Sequence, residues 1–512
     1  MNRFRWVAII ALICLPVAFL ALDWRIPGYA APGTIVRPLG VPDGDQEMAW
    51  LHTTTANSTW ERFVAGWIRA QRTMPDLEID LSKAFLDSTT AVPEMIVSQK
   101  GHEGRLLIRW YKLQGDITAA DWVKALAKRD RPPLAIIGGG SSDRAVDLAQ
   151  AMEAHKADWP GDPPALFITT ATANSVASAK SETLVDIYDH LTFRFCFTNR
   201  QMADAVLDFV ESNEELRDDL RPVVHELTSL QAVASTAAGY PRVPKHRPHV
   251  FSVRWQDDPY STDLHEQFIA ALNDQVLARN GNQTAFHLNQ FRVPFSVGQF
   301  QRPNADEDNT ARFIAKELRG LPAQRSMLIL PGSTQPARRL LQAIAERSQR
   351  LAHRLVVVTG DGISVNSLLR DGEFAWRAGA LAVPLVLFTH NDPIAWDDGI
   401  RWPRGPNSDA SSTEDLMHFA EMARVIAQEC FPATGELANR SDDLIARLHA
   451  RRPAFFDKNG ERLGGTGEFI VTLIPRDDAG GGRGTAQLSV WKRGPGKKWE
   501  LVGQLAVGAG PP

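Results

Sequence analysis

Short, wholly apolar runs alternate with helical patterns along most of this chain. Residues 134–137 (Leu-Ala-Ile-Ile) form one run, which ends in Gly138-Gly139-Gly140-Ser141-Ser142-Asp143. A helix is predicted from Arg144, where Ala145, Leu148, Ala149 and Met152 recur at helical spacing. Residues 165–169 form a second run and lead into Thr170-Ala171-Thr172-Ala173-Asn174. Residues 249–255 form a third, closed by Asp257-Asp258-Pro259-Tyr260-Ser261, and a helix carrying Leu264, Phe268, Ala271 and Leu272 follows. Residues 327–330 and 355–358 lead in the same way to Gly332-Ser333-Thr334 and Thr359-Gly360-Asp361-Gly362. Residues 383–388 are one more strand. Earlier in the chain, residues 47–52 and 105–112 read as strands and 58–72 as a helix.

Strands that are apolar on both faces, alternating with amphipathic helices, make a parallel sheet covered on both sides. The Pro- and Gly-rich stretch 240–248 separates two groups of such units, so the predicted fold is α/β with two doubly wound, Rossmann-like lobes. The C-terminal part changes character. Asn459-Gly460 has hairpin-turn chemistry, residues 468–474 and 488–491 read as strands, and 477–484 as a Gly-rich turn between them.

The remaining signals narrow the function. With 512 residues the chain exceeds one hydrophobic core. A net charge of −4 argues against a nucleic-acid partner, which needs a basic surface. At the start, Arg3 and Arg5 precede an apolar run over residues 6–22, the pattern of a secretory signal. A small-residue site after Ala30 permits cleavage, and the run is also just long enough for an uncleaved membrane anchor. Both readings place the rest of the chain outside the cytoplasm, in the periplasm or its equivalent. Residues 31–45 read as a linker. Cys196 and Cys430 are the only cysteines beyond Cys14. Two separate buried thiols are expected, with pairing left open. No spacing suggests a metal, and no cofactor is expected.

In open parallel sheets, ligands bind beyond the carboxyl ends of the strands. That rule selects the loops named above, which are rich in glycine, hydroxyls and carboxylates. Glycine admits close backbone approach, and helix N-termini favour anions. The same residues also serve ordinary strand-to-helix turns, and Ser141 or Asp143 alternatively caps a helix. Gly138-Gly139-Gly140 is not a nucleotide loop, because Asp143 stands where the third glycine belongs and no Lys-Ser/Thr pair follows. No Gly-x-Ser-x-Gly elbow is present, and His390 is the one histidine in a suggestive loop. No catalysis is expected. Trp60, Trp67, Trp110 and Trp122 read as core residues.

Taken in order, these motifs resemble the type I periplasmic-binding proteins, in particular the leucine/isoleucine/valine-binding branch and related receptor ligand-binding domains. The likeness rests on 138–143, 169–174, Phe193-Arg194-Phe195, 253–261, 358–362, Phe456-Asp457-Lys458-Asn459-Gly460-Glu461-Arg462 and Trp499-Glu500-Leu501-Val502-Gly503. Residues 50–55 depart from the family's opening motif, and Ser261 stands where glycine is usual. The resemblance implies lobe one over 46–192 plus 396–450, lobe two over 193–395 plus 451–505, and a ligand cleft between them. It implies that Ser141, Ser142, Thr170, Ala171 and Thr172 meet a small polar ligand, an amino acid or similar, from lobe one. Tyr260 and Asp361 would close on it from lobe two. The implied role is solute capture for ABC-type transport or sensing, with a membrane permease or receptor as partner. The alternative is a membrane-anchored scaffold that uses the same fold to bind a protein and no small ligand.

Overall fold

The computed structural model describes residues 36–507, except 87, 175–182, 218–248, 257, 281–285, 295–302, 321–324, 349–353, 366–382, 394–412, 433–436, 452–453 and 477–484. The N-terminal apolar run, the 240–248 stretch, Asp257 and the Gly-rich turn 477–484 therefore lie outside the described residues. So do residues 31–35 of the expected linker.

Lobe one is built on a seven-stranded sheet. Its strands are β1 (Gln46–Thr53), β2 (Leu77–Lys83), β3 (Glu94–Gln99), β4 (Leu106–Leu113), β5 (Ala135–Gly138), β6 (Ala165–Ile168) and β7 (Thr192–Arg194), in the order β2-β3-β4-β1-β5-β6-β7. From β4 to β7 every pairing is parallel; β2 and β3 extend the sheet antiparallel. The helices are α1 (Asn57–Thr73), α2 (Ala119–Ala127) and α3 (Ser142–Ala154). The chain then leaves for the second lobe through residues 195–198 into α4 (Asn199–Ser212).

Lobe two has β8 (His249–Trp255), α5 (Pro259–Asn280), β9 (His287–Val293), α6 (Ala305–Gly320), β10 (Ser326–Ile329), α7 (Thr334–Ala345), β11 (Leu355–Thr359) and β12 (Leu385–Thr389). The chain returns to lobe one for α8 (Thr413–Cys430), which packs on α1, and α9 (Ser441–Ala450), which packs by β6. It crosses a third time to add β13 (Phe469–Arg476), β14 (Thr485–Arg493) and β15 (Trp499–Val507) to lobe two. That sheet runs β15-β14-β13-β12-β11-β10-β8-β9, parallel from β12 to β9 and antiparallel beyond.

The sequence explains this layout. The parallel strands β5, β6, β10, β11 and β12 are buried at every position, as strands covered on both faces must be. The antiparallel edge strand β2 is half exposed, so its pattern is mixed. Two capping boxes start helices: Thr118 with Asp121 at α2, and Thr198 with Gln201 at α4. Trp60, Trp67, Trp110 and Trp122 are all buried. Cys196 and Cys430 stand free and buried, and burial pushes both thiols up to about 12.

Residues 36–45 are held against lobe one. Arg109 Nη1 donates to the Gly40 carbonyl at 3.0 Å and pairs with Glu47 at 3.3 Å, while its Nε donates to Glu94 at 2.7 Å. Tyr111 donates to Glu47 Oε1 at 2.6 Å and accepts the Leu39 N–H at 3.3 Å. The entry of the chain is thus tied to charges that are themselves buried and must stay paired.

Helices α1 and α8 meet at Gly66. A Cβ there would stand 2.6 Å from Phe419 Cβ and 2.8 Å from the Ala420 nitrogen. Alanine ordinarily helps a helix by about 1 kcal/mol over glycine. Here the clash with backbone outweighs that. Gly66→Ala is expected to destabilise the fold by about 1–3 kcal/mol, measured by urea denaturation; a gain in stability would show that the helix contact is not tight.

Candidate functional site

The carboxyl ends of the central strands in both lobes point into one cleft, spanned by the first and third crossings. On the lobe-one wall, the loops after β5 and β6 are knitted together. The Thr169 N–H donates to the Gly138 carbonyl at 3.0 Å, and the Thr170 N–H to the Gly139 carbonyl at 3.4 Å. Gly139 has φ +76°, and an added Cβ would press on Ala145 and Ile168, so glycine suits this turn. Ser141 is the N-cap of α3, yet its side chain makes no capping hydrogen bond. Ser142 is buried, and its Oγ accepts the Ala173 N–H at 3.3 Å. Thr170 is half-buried. The Ala171 carbonyl accepts the Cys196 thiol at 3.3 Å. The Thr172 carbonyl accepts the Asn199 N–H at 2.7 Å and Arg194 Nη1 at 3.3 Å. Five of the sequence-derived positions are therefore neighbours on one wall.

The other two meet on the opposite wall. Tyr260 donates its hydroxyl hydrogen to Asp361 Oδ1 at 2.8 Å and accepts the Gly362 N–H at 2.9 Å. Glycines make room for the ring: a Cβ at Gly360 would stand 2.8 Å from the Tyr260 hydroxyl, and one at Gly362 would stand 2.9 Å from its Cε1. His390 Nε2 donates to Asp361 Oδ2 at 2.9 Å. Burial alone would push the Asp361 carboxyl up. The bonds from His390 and Tyr260 outweigh it and hold the group below the usual range. Burial, then the Asp361 charge, pushes the Tyr260 phenol well up, so it stays protonated and remains a donor.

Sequence reading did not single out the residues that join the walls. Asp263 on α5 accepts the Asn174 N–H at 2.9 Å and Asn199 Nδ2 at 2.7 Å, clasping a lobe-one loop to lobe two. His52, at the end of β1, sits where a Cβ on Gly140 would fall, 2.4 Å from its Nε2. Burial and the nearby Arg144 lower this imidazole to about 4, so it is neutral near pH 7. His418 on α8 donates Nε2–H to the Thr169 carbonyl at 2.8 Å. Nothing local in the sequence marks these residues, because their partners are remote; His390 alone stood in a suggestive loop.

Among the described residues, three other features were candidates for a site. Ser252 Oγ and His265 Nδ1 are 2.6 Å apart, but both are buried, and burial with Arg254 and Arg292 lowers His265 to about 4. Ser261, in place of a glycine, uses its hydroxyl on the Pro331 carbonyl and the Trp255 N–H. Among the described residues no three His, Cys, Asp or Glu side chains are grouped to hold a metal ion. A cavity of about 570 Å³ opens at the other edge of lobe one, lined by Gln46, Leu134, Asp162 and Arg440. It lies at the starts of the strands, away from the ends where open sheets bind ligands.

Two mostly parallel sheets with three crossings between them are the layout implied by the resemblance to type I periplasmic-binding proteins. The fold is of that two-lobed kind. No family model matches the chain, and no curated protein matches it. Solved structures of similar outline include a leucine-, isoleucine-, valine-, threonine- and alanine-binding protein from Brucella ovis in a closed conformation. It is 11% identical, with 91% of this chain and 95% of that one covered and a TM-score of 0.48. A leucine-binding protein from Thermotoga maritima is 14% identical over 90% and 98%, with a TM-score of 0.44. A fatty acid ABC transporter substrate-binding protein from Thermomonospora curvata is 11% identical over 88% and 94%, with a TM-score of 0.46.

The Tyr260 bonds give a direct test of the lobe-two wall. Tyr260→Phe leaves the Gly362 N–H without its acceptor and removes one donor from Asp361. A loss of about 1–3 kcal/mol of stability is expected, read by chemical denaturation at pH 7. A carboxylate with a depressed folded-state pKa stabilises above its unfolded value near 4 and loses that contribution as pH falls through the folded value. Phenylalanine brings the two values closer, so Y260F is expected to lose less stability between pH 5 and pH 2 than the wild type. Equal acid sensitivity would remove Tyr260 from the cause.

Proposed function

We propose that this protein is an extracytoplasmic solute-binding protein, which captures a small polar ligand between its lobes and catalyses nothing. The observation that carries the reading is the convergence of Ser141, Ser142, Thr170, Ala171 and Thr172 from lobe one, opposite Tyr260 and Asp361 from lobe two, at the carboxyl ends of two parallel sheets. The α3 N-terminus, with the Ser141 hydroxyl not used for capping, suits the anionic end of a ligand such as an amino acid. Ligand that touches both walls favours the closed arrangement by its differential contacts. Capture serves ABC-type transport or sensing, with a membrane permease or receptor as partner. The basic start and apolar run at the N-terminus support export. Among the described residues no helix is long and apolar enough to cross a membrane, and that N-terminal run is not among them.

Native mass spectrometry of the purified protein, followed by a thermal-shift screen of amino acids and other polar metabolites, tests this reading. A ligand at 100 times its Kd adds about 2.7 kcal/mol of stability, which raises Tm by several degrees. No bound molecule and no shift across the screen would favour the protein-binding scaffold instead. Ser141→Ala separates binding from folding. An N-cap serine ordinarily contributes about 0.5–2 kcal/mol, but this one makes no capping bond. The expected change in stability is below about 0.5 kcal/mol, with ligand affinity reduced roughly fivefold for one lost hydrogen bond. Unchanged affinity, measured calorimetrically, would remove Ser141 from the site.

A further inference from the structure

Beyond the ligand-facing walls, the floor of the cleft holds two histidines whose hydrogen bonds fix their protonation. His390 Nδ1 lies 3.3 Å from the Phe197 backbone nitrogen on the first crossing. That nitrogen can only donate, so Nδ1 must accept and Nε2 carries the hydrogen given to Asp361. The His390 ring stacks parallel to Phe197, with centroids 5.9 Å apart and an interplanar angle of 3°. His418, from lobe one, packs its ring 5.5 Å from His390. Its Nε2 donates to Thr169, which leaves Nδ1 a lone pair, buried and without a partner among the described residues. His418 is 3% exposed.

The surrounding charges offer a second proton on His418 no free partner. Arg462, on the third crossing, lies over the Phe197 ring at 4.0 Å and adds positive charge. Asp361 already accepts from both Tyr260 and His390. Glu421, one turn along α8 from His418, is bound to Arg462 at 2.8 Å. Asp415, one turn the other way, pairs with Arg62 of α1 at 3.0 Å. The Cys196 thiol is neutral, and β6 presents only the Thr169 carbonyl. Burial first, with the Arg462 charge adding to it, holds His418 well below its ordinary range.

We propose that His418 is a proton-operated latch on the hinge: the lobes meet as described only while its imidazole is neutral, and protonation drives them apart. A proton on His418 would bury a cation beside Arg462 and His390. His390, on the other lobe, packs against the His418 ring, so opening removes that neighbour and lets water approach. The closed state therefore binds fewer protons than the open one. Acidification favours opening below the ordinary imidazole value of about 6.5. For one proton, the open-to-closed ratio rises about tenfold per pH unit below that value.

The test needs no ligand, so its failure is separate from any failure of the solute-binding reading. Nitroxide labels are placed at D147C on α3 and N273C on α5, both exposed positions, in full-length protein with the C14S change. Pulsed electron resonance then reads the inter-label distance from pH 7.5 to pH 5.0. The expected result is one short distance at pH 7.5 and a long-to-short ratio that rises about tenfold per pH unit below 6.5. H418Q and H418N, each checked for folding by circular dichroism, are expected to shrink or abolish that growth. A distribution that is the same at both pH values, or lobes apart throughout, would overturn the latch. So would lengthening that persists unchanged in both folded variants. If one variant does not fold, the wild-type series and the other variant still decide.

Discussion

Arg462 lies over the ring of Phe197, and its Nη1 donates to the Phe195 carbonyl at 3.0 Å, while Nη2 reaches Glu421 on α8. Its own carbonyl accepts from Gln201 on α4 at 2.7 Å. One residue of the third crossing thus touches the first crossing, a lobe-one helix and a lobe-two helix. A buried guanidinium is tolerated only while paired, and a desolvated cation–π contact adds about 2 kcal/mol. Nearby, Arg194 pairs with Glu461 at 3.0 Å, and the Arg194 N–H donates to the Gly460 carbonyl at 2.8 Å. The first and third crossings are consequently locked to each other, although they come from distant parts of the chain. Relative motion of the lobes has to pivot about this cluster, since sliding one crossing past another would strip a buried charge of its partner.

Both walls of the cleft are tied to that cluster. The first crossing passes directly from Arg194 and Phe195 to Thr198 and Asn199, whose N–H and side chain hold Thr172 and Asp263. A displacement at Phe197 would therefore reach both walls within two residues. His390 reads the same segment through the Phe197 N–H and carries the position on to Asp361 and Tyr260. Coupling here needs no long pathway, because hinge and walls share hydrogen bonds.

The parts of the fold legible in the sequence are those whose residues are uniformly buried. Strands β5, β6, β8, β10, β11 and β12 announce themselves by apolar runs, and the loops beyond them follow from the strand-end rule. Strands β2 and β9 do not, because LEIDLSK and HLNQFRV alternate between exposed and half-buried positions and carry charge. Three-residue β7 is too short to show any period. The same limit governs the site. Ser141 and Thr172 were visible as loop residues, but the Tyr260–Asp361 bond spans 101 positions and His418–Thr169 spans 249. Asp263 looks like an ordinary helix residue until Asn174 and Asn199 are folded against it.

The two walls also differ in how much bonding capacity they have left. On lobe two, the Tyr260 hydroxyl both donates and accepts within its own lobe, and each Asp361 oxygen already takes a hydrogen bond. On lobe one, the Ser141 hydroxyl is not spent on its helix, and the α3 N-terminus lies beside Gly140. On the proposed solute-binding reading, directional bonds to a polar ligand come chiefly from lobe one, while lobe two contributes a preset surface and the negative field of Asp361. The ligand then seats on lobe one first and meets lobe two on closure. On that reading the second step costs little reorganisation, because the bonds that tie Tyr260, Asp361 and His390 together all lie within lobe two.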